Sequence, residues 1–200
     1  MSPLQKIAMG LFIVFWTAPF SIDGYAWDGL PDPLGWILVL VGVRSLQSHL
    51  DVDLAIRTAW IALAASVPQW VPPLFEALLP NDDPVAEASV RWFFFLPQAL
   101  FCLLLARTIA QAAIARQPRD RYVAGRFGVL MWAAGALIVL PPIAYGLDRQ
   151  GLVDAALVGI VLIGLGFVYY LYRVHRRTWL GGPGPLEIHP RKREGRPPSS

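Results

Sequence analysis

The sequence predicts an all-α, polytopic membrane protein: a helical bundle of about six transmembrane helices, with the N- and C-termini cytoplasmic. Three observations lead to this fold class. The 200-residue chain is 56% hydrophobic and only 16% charged, with a mean hydropathy of +0.49, whereas soluble domains carry about 25% charged residues. The charges lie between long apolar runs. Nearly all of the basic residues fall on one side of the membrane when these runs are threaded through it.

Six apolar runs are candidates for membrane spans. Most have about the 20 residues needed to cross ~30 Å of hydrocarbon at 1.5 Å per residue, but the second is shorter. A cleaved signal peptide is disfavoured for the first run, because its cleavage site would be poor. The best small-residue site ends at Ala26, and the acidic Asp23 precedes it. The predicted spans are residues 4–20, 33–46, 54–71, 92–115, 127–145 and 155–172.

The basic residues orient these spans. With the N-terminus inside, fifteen of the seventeen Lys and Arg residues lie on the cytoplasmic side, and only Arg91 and Arg149 lie outside, as the positive-inside rule requires. The excess of Arg over Lys is typical of GC-rich bacteria, so we expect a multi-pass protein of a bacterial plasma membrane. The outer connections are acidic and contain Asp23, Asp28, Asp32, Glu76, Asp82, Asp83, Glu87, Asp148 and Asp154.

Residues 181–200 are predicted to form a disordered, basic cytoplasmic tail. This segment has no apolar periodicity and is rich in Gly and Pro. We favour a solvated topology anchor for its cluster RKREGR; the alternative is contact with anionic lipid head groups, at ~1 kcal/mol per charge near the surface. Because the basic residues act as topology signals, we expect the lipid bilayer as a partner and no nucleic acid.

The segment DGLPDPLGW, residues 28–36, opens the second span. Pro33 directly after Asp32 is typical of a helix start, because Asp can cap free backbone N–H groups and proline suits the first helical position. A helix starting there at the outer interface would place Arg44 about 16 Å deep, where a lone Arg costs at least ~2.5–3.5 kcal/mol. Either the loop dips below the outer interface, so that Arg44 emerges inside, or Arg44 snorkels or pairs with an acid. We favour the dipped loop.

A dipped acidic loop would form an outward-facing concave site. Desolvation and neighbouring carboxylates would raise the pKa of Asp32 and leave it poised to bind a proton or a cation. The pattern does not select a metal ion. The candidate residues of this outer-loop site are Asp23, Asp28, Asp32, Gly35 and Trp36, and Arg44 is a candidate intramembrane or interfacial charge at the far end of the helix.

Aromatic residues indicate the outer boundary of the bilayer. Trp16, Tyr25, Trp27 and Trp36 flank the first outer connection. Amphipathic rings prefer the head-group level. We therefore expect these four side chains to belong to an interfacial belt.

No motif for catalysis or for a cofactor is present. The sequence contains no G-x-x-x-x-G-K-[ST], G-x-S-x-G, H-E-x-x-H or C-x-x-C. A single cysteine, Cys102, cannot build a disulfide framework or a thiolate metal site, and the three histidines are scattered. We expect no enzyme activity and no cofactor.

The stretch IDGYAWDGLPDPLGWILVLVGVRSL, residues 22–46, resembles the N-terminal region of small uncharacterised bacterial multi-pass membrane proteins. These proteins carry an Asp-x-Leu-Pro-Asp-x-x-Gly-aromatic segment at the start of their second helix. The resemblance implies the same multi-pass topology and supplies no substrate. The matching residues here are Asp28, Leu30, Pro31, Asp32, Gly35 and Trp36.

These observations favour an integral membrane component with a structural, regulatory or partner-binding role, because the sequence offers no convincing polar pathway through the bilayer. A membrane protein is then the expected partner. The alternative is a small transporter or channel-like protein for a cation or small polar solute that uses the acidic outer loop. A membrane-embedded enzyme is the second alternative.

Overall fold

The protein is mainly helical, as predicted. A computed structural model describes residues 1–22, 24–80, 83–147 and 149–185. Helices account for 76% of the chain, which confirms the all-α class, and a short β-hairpin is added near the N-terminus. In the described residues the elements are α1 (Pro3–Phe15), β1 (Pro19–Ile22), β2 (Tyr25–Asp28), α2 (Asp32–Leu46), α3 (Asp53–Trp70), α4 (Pro72–Glu76), α5 (Pro84–Ala115), α6 (Arg121–Gly146), α7 (Gln150–Val174) and a 3₁₀ turn (Thr178–Leu180).

Three helices are long and apolar enough to cross a membrane among the residues described: Pro84–Ala115, Arg121–Gly146 and Gly151–Val174. Their outward faces remain apolar; Trp132, for example, is 76% exposed. Large exposed apolar faces are costly in water but ordinary in lipid. The structure therefore supports a membrane protein.

The six longer helices form a closed ring. Contacts join α1 to α2, α2 to α3, α3 to α5, α5 to α6, α6 to α7 and α7 back to α1. Short connections between sequential helices favour antiparallel neighbours. Large apolar side chains fill the ring, including Trp36, Phe101, Phe127 and Phe167, which are at most 1% exposed. The ring is thus a packed bundle.

Local sequence explains where several helices begin. Ser2 and Gln5 form a reciprocal capping box at α1, with a proline at the first helical position. The carboxylate of Asp83 accepts the first free N–H groups of α5, and that of Asp120 accepts one from α6. These caps satisfy donors that a helix start leaves unpaired.

At one end of the ring, hereafter the basic end, the helix ends and connections lie close together. There Gly181 approaches Pro3 and His49, and the Arg177 guanidinium lies 3.3 Å from the Asp120 carboxylate. These contacts bring together the start of α1, the connection after α2, the start of α6 and the segment after α7. The basic side chains near this end are Lys6, Arg44, Arg57, Arg107, Arg116, Arg119, Arg121, Arg126, Arg173, Arg176 and Arg177.

The opposite end, hereafter the stepped end, is uneven. At 1.5 Å per residue α1 and α2 are only ~20 and ~22 Å long, whereas α5 is ~48 Å long. Phe15 at the end of α1 packs on Gly164, well inside α7, and Trp36 near the start of α2 packs on Phe101, well inside α5. The hairpin β1–β2 continues from these two short helices toward the stepped end.

The predicted first span, residues 4–20, is too long. Helix α1 ends at Phe15 and β1 begins at Pro19. A proline disfavours helical geometry in the residue before it, and the backbone of that residue, Ala18, bonds to Asp28 and Gly29 instead. The helix α5 begins eight residues before the predicted span 92–115, and the hairpin and α4 were not predicted.

The structure describes five residues of the predicted tail, 181–185. Residues 181–185 turn back onto the basic end. The backbone N–H of Gly182 donates to the carbonyl oxygen of Arg177, and that of Gly184 donates to the carbonyl oxygen of Arg176. Gly181 has φ +73°, a left-handed conformation that glycine adopts freely. The remaining predicted tail, residues 186–200, including the RKREGR cluster, lies outside the described residues.

Candidate functional site

The loop that carries the predicted site is held by an unusually close pairing of α1 with α2. A Cβ atom added to Gly35 would lie 2.8 Å from the carbonyl oxygen of Gly10, and one added to Gly10 would lie 2.5 Å from that of Gly35. Gly42 makes the same kind of approach to Ile7 and Pro3. Small residues permit such backbone contact between membrane helices. Gly35 is therefore a packing residue between α1 and α2.

Trp36 corrects a second prediction. We expected it in an interfacial belt, but it is 1% exposed and stacks edge-on against Phe101, with 5.3 Å between ring centroids. A buried aromatic pair of this geometry contributes about 0.5–1.5 kcal/mol beyond its buried area. Trp36 anchors α2 to the interior of the ring.

Asp28 organises the loop. Its Oδ1 accepts the backbone N–H of Ala18 at 2.8 Å and that of Leu30 at 2.9 Å, so the carboxylate ties the two ends of the hairpin together. The hairpin pairs Pro19 with Asp28 and closes next to Gly24, whose φ is +82°, a conformation that turns of this kind require.

The hairpin is fastened to the stepped end by Trp70. The indole N–H of Trp70 donates to the carbonyl oxygen of Asp28 at 3.0 Å, and its ring meets Trp27 edge-on with 6.2 Å between centroids. The sequence marks Trp70 only as an aromatic residue near a span end. The hydrogen bond spans 42 residues, and no local pattern predicts it.

Asp32 is the first residue of α2, and its side chain makes no capping hydrogen bond. Our prediction of Asp32 as the cap and Pro33 as the first helical residue is therefore wrong: Pro31 occupies the cap position. The side chain is half-buried. Burial, and to a lesser extent the nearby charge of Asp28, raise the pKa of Asp32 from its ordinary value to about 7. The sequence predicted a raised pKa for Asp32, and the structure gives a shift in this direction.

The five predicted site residues therefore separate into groups. Asp28 and Asp32 lie together at the loop; Gly35 and Trp36 are packed in the ring; Asp23 lies outside the described residues. Within the described parts of the chain, no three His, Cys, Asp or Glu side chains come together as a metal site would require. What remains is a pair of carboxylates, one bound to backbone amides and one able to exchange a proton near neutrality.

Arg44 lies at the other end of α2, two residues before its last residue, Leu46. It is twelve residues from Asp32, or ~18 Å along the helix. Its guanidinium carbon sits 5.3 Å from the ring centroid of Trp60, a cation–π contact. The exposed Arg44 side chain thus belongs to the basic end.

The interior of the ring contains little that is polar. In the described residues the buried polar side chains are Ser2, Thr58 and Ser66. The hydroxyls of Thr58 and Ser66 donate to carbonyl oxygens of their own helix, and Ser2 caps α1. The cavity among α1, α5, α6 and α7 is only about 20 Å³, about the size of a single water site. An adjoining, more open pocket of about 170 Å³ between α1, α5 and α7 is lined by apolar and aromatic side chains and by Gln98.

Comparison with protein-family models, curated proteins and solved structures found no significant match to this chain.

Proposed function

We propose that the chain crosses a bacterial plasma membrane six times, with the basic end and both termini in the cytoplasm. The basic side chains gathered at one end support this orientation, because cytoplasmic boundaries carry the excess of Lys and Arg. Helix α2 is ~8 Å shorter than the ~30 Å hydrocarbon core. With Arg44 at the cytoplasmic boundary, Asp32 then lies below the outer boundary, which favours the dipped loop over the snorkelling arginine.

Single cysteines test this topology in a Cys102→Ala background. Val85→Cys, near the start of α5 and exposed, and Arg149→Cys, between α6 and α7, should react with a membrane-impermeant thiol reagent added to intact cells. Gln117→Cys, between α5 and α6, should react only after the membrane is opened. Labelling of Gln117→Cys in intact cells would refute the six-span arrangement.

We propose further that the protein is a structural or partner-binding membrane component. The single observation that supports this proposal is the packed interior of the ring: the cavity among α1, α5, α6 and α7 has room for about one water, and the buried hydroxyls of the described residues bond to nearby backbone groups. A transporter needs a polar route or site within the bilayer, made from ionisable side chains or opened backbone.

The hairpin is the surface on which we propose that a membrane protein partner binds. All four residues of β1 are exposed, including Phe20 and Ile22. A two-stranded sheet leaves backbone groups unpaired at its edges, and such edges are not tolerated against lipid. A hairpin that reaches below the outer boundary therefore requires protein or water at its edge.

Site-specific photocrosslinking in native membranes tests this surface. A photoreactive amino acid at Ser21 should give one discrete protein adduct. The same amino acid at Val129, which is 66% exposed on α6, should give none if that face meets lipid. The Ser21 adduct should disappear in Phe20→Asp. Equal adduct patterns at both positions would refute a partner at the hairpin.

A second candidate function is the transport of a proton or cation, and the raised pKa of Asp32 favours it. Purified protein in liposomes should then carry protons or monovalent cations, and Asp32→Asn should abolish the flux. Under the structural proposal, flux equals that of empty liposomes for both proteins. Measuring both proteins with a pH-sensitive dye separates the two functions.

A further inference from the structure

A basic pocket lies at the basic end, outside the loop described above. It is open, has a volume of about 620 Å³, and is formed by the start of α6 and the segment that follows α7. Arg173, Arg176 and Arg177 line it together with the aromatic side chains of Tyr122 and Trp179. Arginine clusters of this kind recognise phosphate through paired N–H donors.

Two of these arginines are each held in place through the Nε atom of their own guanidinium group. The Nε of Arg176 donates to the carbonyl oxygen of Gly184 at 2.8 Å, and the Nε of Arg177 lies 3.3 Å from a carboxylate oxygen of Asp120. Both contacts leave the terminal guanidinium nitrogens as donors. In the part of the chain that the structure describes, the exposed Arg173 has no hydrogen bond or ion pair. The three arginines and Asp120 together carry two net positive charges.

The aromatic walls are backed by two further arginines. The guanidinium carbon of Arg116 lies 5.2 Å from the ring centroid of Trp179, and that of Arg126 lies 5.8 Å from that of Tyr122. These cation–π contacts orient the rings. They also bring two more cations close to the pocket, which strengthens its positive potential.

The pocket lies beside the ends of two candidate membrane spans. Helix α6 begins at Arg121 and α7 ends at Val174, and both are candidate membrane spans, so the pocket opens where their apolar faces end. We propose that it binds the phosphate group of an anionic membrane lipid. Arg173 and the terminal nitrogens of Arg176 and Arg177 donate to the phosphate oxygens, while the acyl chains lie along α6 and α7. Basic pockets between membrane helices bind anionic head groups in this way.

Native mass spectrometry of the purified full chain in neutral detergent tests the proposal. The probes are short-chain phosphatidylglycerol, short-chain phosphatidylcholine and inorganic phosphate, each titrated separately and in competition. We expect phosphatidylglycerol to bind at least about tenfold more tightly than phosphatidylcholine, and Arg173→Gln/Arg176→Gln to remove that preference. The matched control is Arg57→Gln/Arg107→Gln, which removes two exposed charges from the same end and should retain it.

Several outcomes of this experiment would overturn the proposal. Equal losses in the two double variants, or equal affinity for the two lipids, would overturn the pocket in favour of diffuse attraction. Inorganic phosphate is instead the ligand, and the pocket a soluble-phosphate site, if it displaces phosphatidylglycerol at concentrations below those at which the lipid itself binds. That result would overturn the proposal of a lipid site. If the double variant Arg173→Gln/Arg176→Gln unfolds in lipid-free detergent, the single variant Arg173→Gln replaces it, because its side chain has no described contact to lose. This variant should weaken phosphatidylglycerol binding about threefold or more. Unchanged binding would refute the proposal.

Discussion

Asp32→Asn should change how stability depends on pH. The folded protein holds the proton of Asp32 up to a pH of about 7, whereas an unfolded Asp releases it near ~3.9. Between these values the folded state binds more protons than the unfolded state, so the free energy of unfolding falls as pH rises. The stabilisation is fully present below about pH 4 and is lost by about pH 7. Asparagine imitates the protonated carboxyl and removes this dependence.

The size of the effect follows from the pKa. A shift from 3.8 to about 7, at ~1.36 kcal/mol per unit, sets an upper limit of ~4 kcal/mol. Because the carboxyl is only half-buried, solvent screens part of this, and we expect about 2 kcal/mol. Asp32→Asn should therefore match the wild type near pH 4 and exceed its stability by about 2 kcal/mol at pH 8, or ~4–8 °C in midpoint for a chain of this length.

Thermal unfolding in neutral detergent, followed by tryptophan fluorescence from pH 4 to pH 8, measures this difference. Titrating groups that do not interact with Asp32 affect both proteins equally and cancel in the difference. Glu76→Gln, which removes an exposed carboxylate on α4, is the control and should run parallel to the wild type. A constant difference between Asp32→Asn and wild type at every pH would refute the burial of this carboxyl.

Substitutions at Gly35, Trp36, Asp28 and Trp70 test the packing around the loop, each by the same unfolding assay at a single pH. Gly35→Ala forces α1 and α2 apart and should cost about 1–3 kcal/mol, whereas Gly128→Ala, with open space around the added methyl, should stabilise α6 by about 0.5–1 kcal/mol. Trp36→Ala should cost about 3–5 kcal/mol through the cavity it leaves, and Trp36→Phe should cost less. Asp28→Ala strips two backbone N–H groups of their acceptor and should cost about 1–3 kcal/mol, while Asp28→Asn, which keeps an oxygen there, should cost less than half as much. Trp70→Phe should cost about 1 kcal/mol by removing the donor to the hairpin; no loss would show that the hairpin holds without it.

The helices were predictable because their signals are local. Each apolar run became a helix, and the ends of α2, α3 and α7 lie within a few residues of the predicted spans. The raised pKa of Asp32 was also predictable, because it needs only a shielded position and a neighbouring carboxylate, both implied by DGLPDP.

The division of the predicted site into loop and core was not predictable. A tryptophan near a span end reads as interfacial, and only its contact with Phe101, 65 residues away in the chain, places Trp36 inside. The point where α1 stops depends on Asp28 capturing the backbone of Ala18, again a long-range contact. The basic pocket was missed because only the fold brings the arginines at the end of α7 and just after it beside Tyr122 at the start of α6.

The unequal helix lengths have a consequence for the surrounding lipid. The flank formed by α1 and α2, with exposed Phe12, Ile37 and Val41, presents an apolar wall of at most ~22 Å, while α6, across the ring from α2, is ~39 Å long. A bilayer of uniform thickness cannot match both flanks, and each ångström of hydrophobic mismatch costs a fraction of a kcal/mol. In the proposed six-span arrangement, the bilayer must thin beside α1 and α2, or the whole protein must tilt. Pairing the short flanks of two molecules would remove the thinned lipid between them, so membrane thickness itself acts on how these molecules distribute and meet.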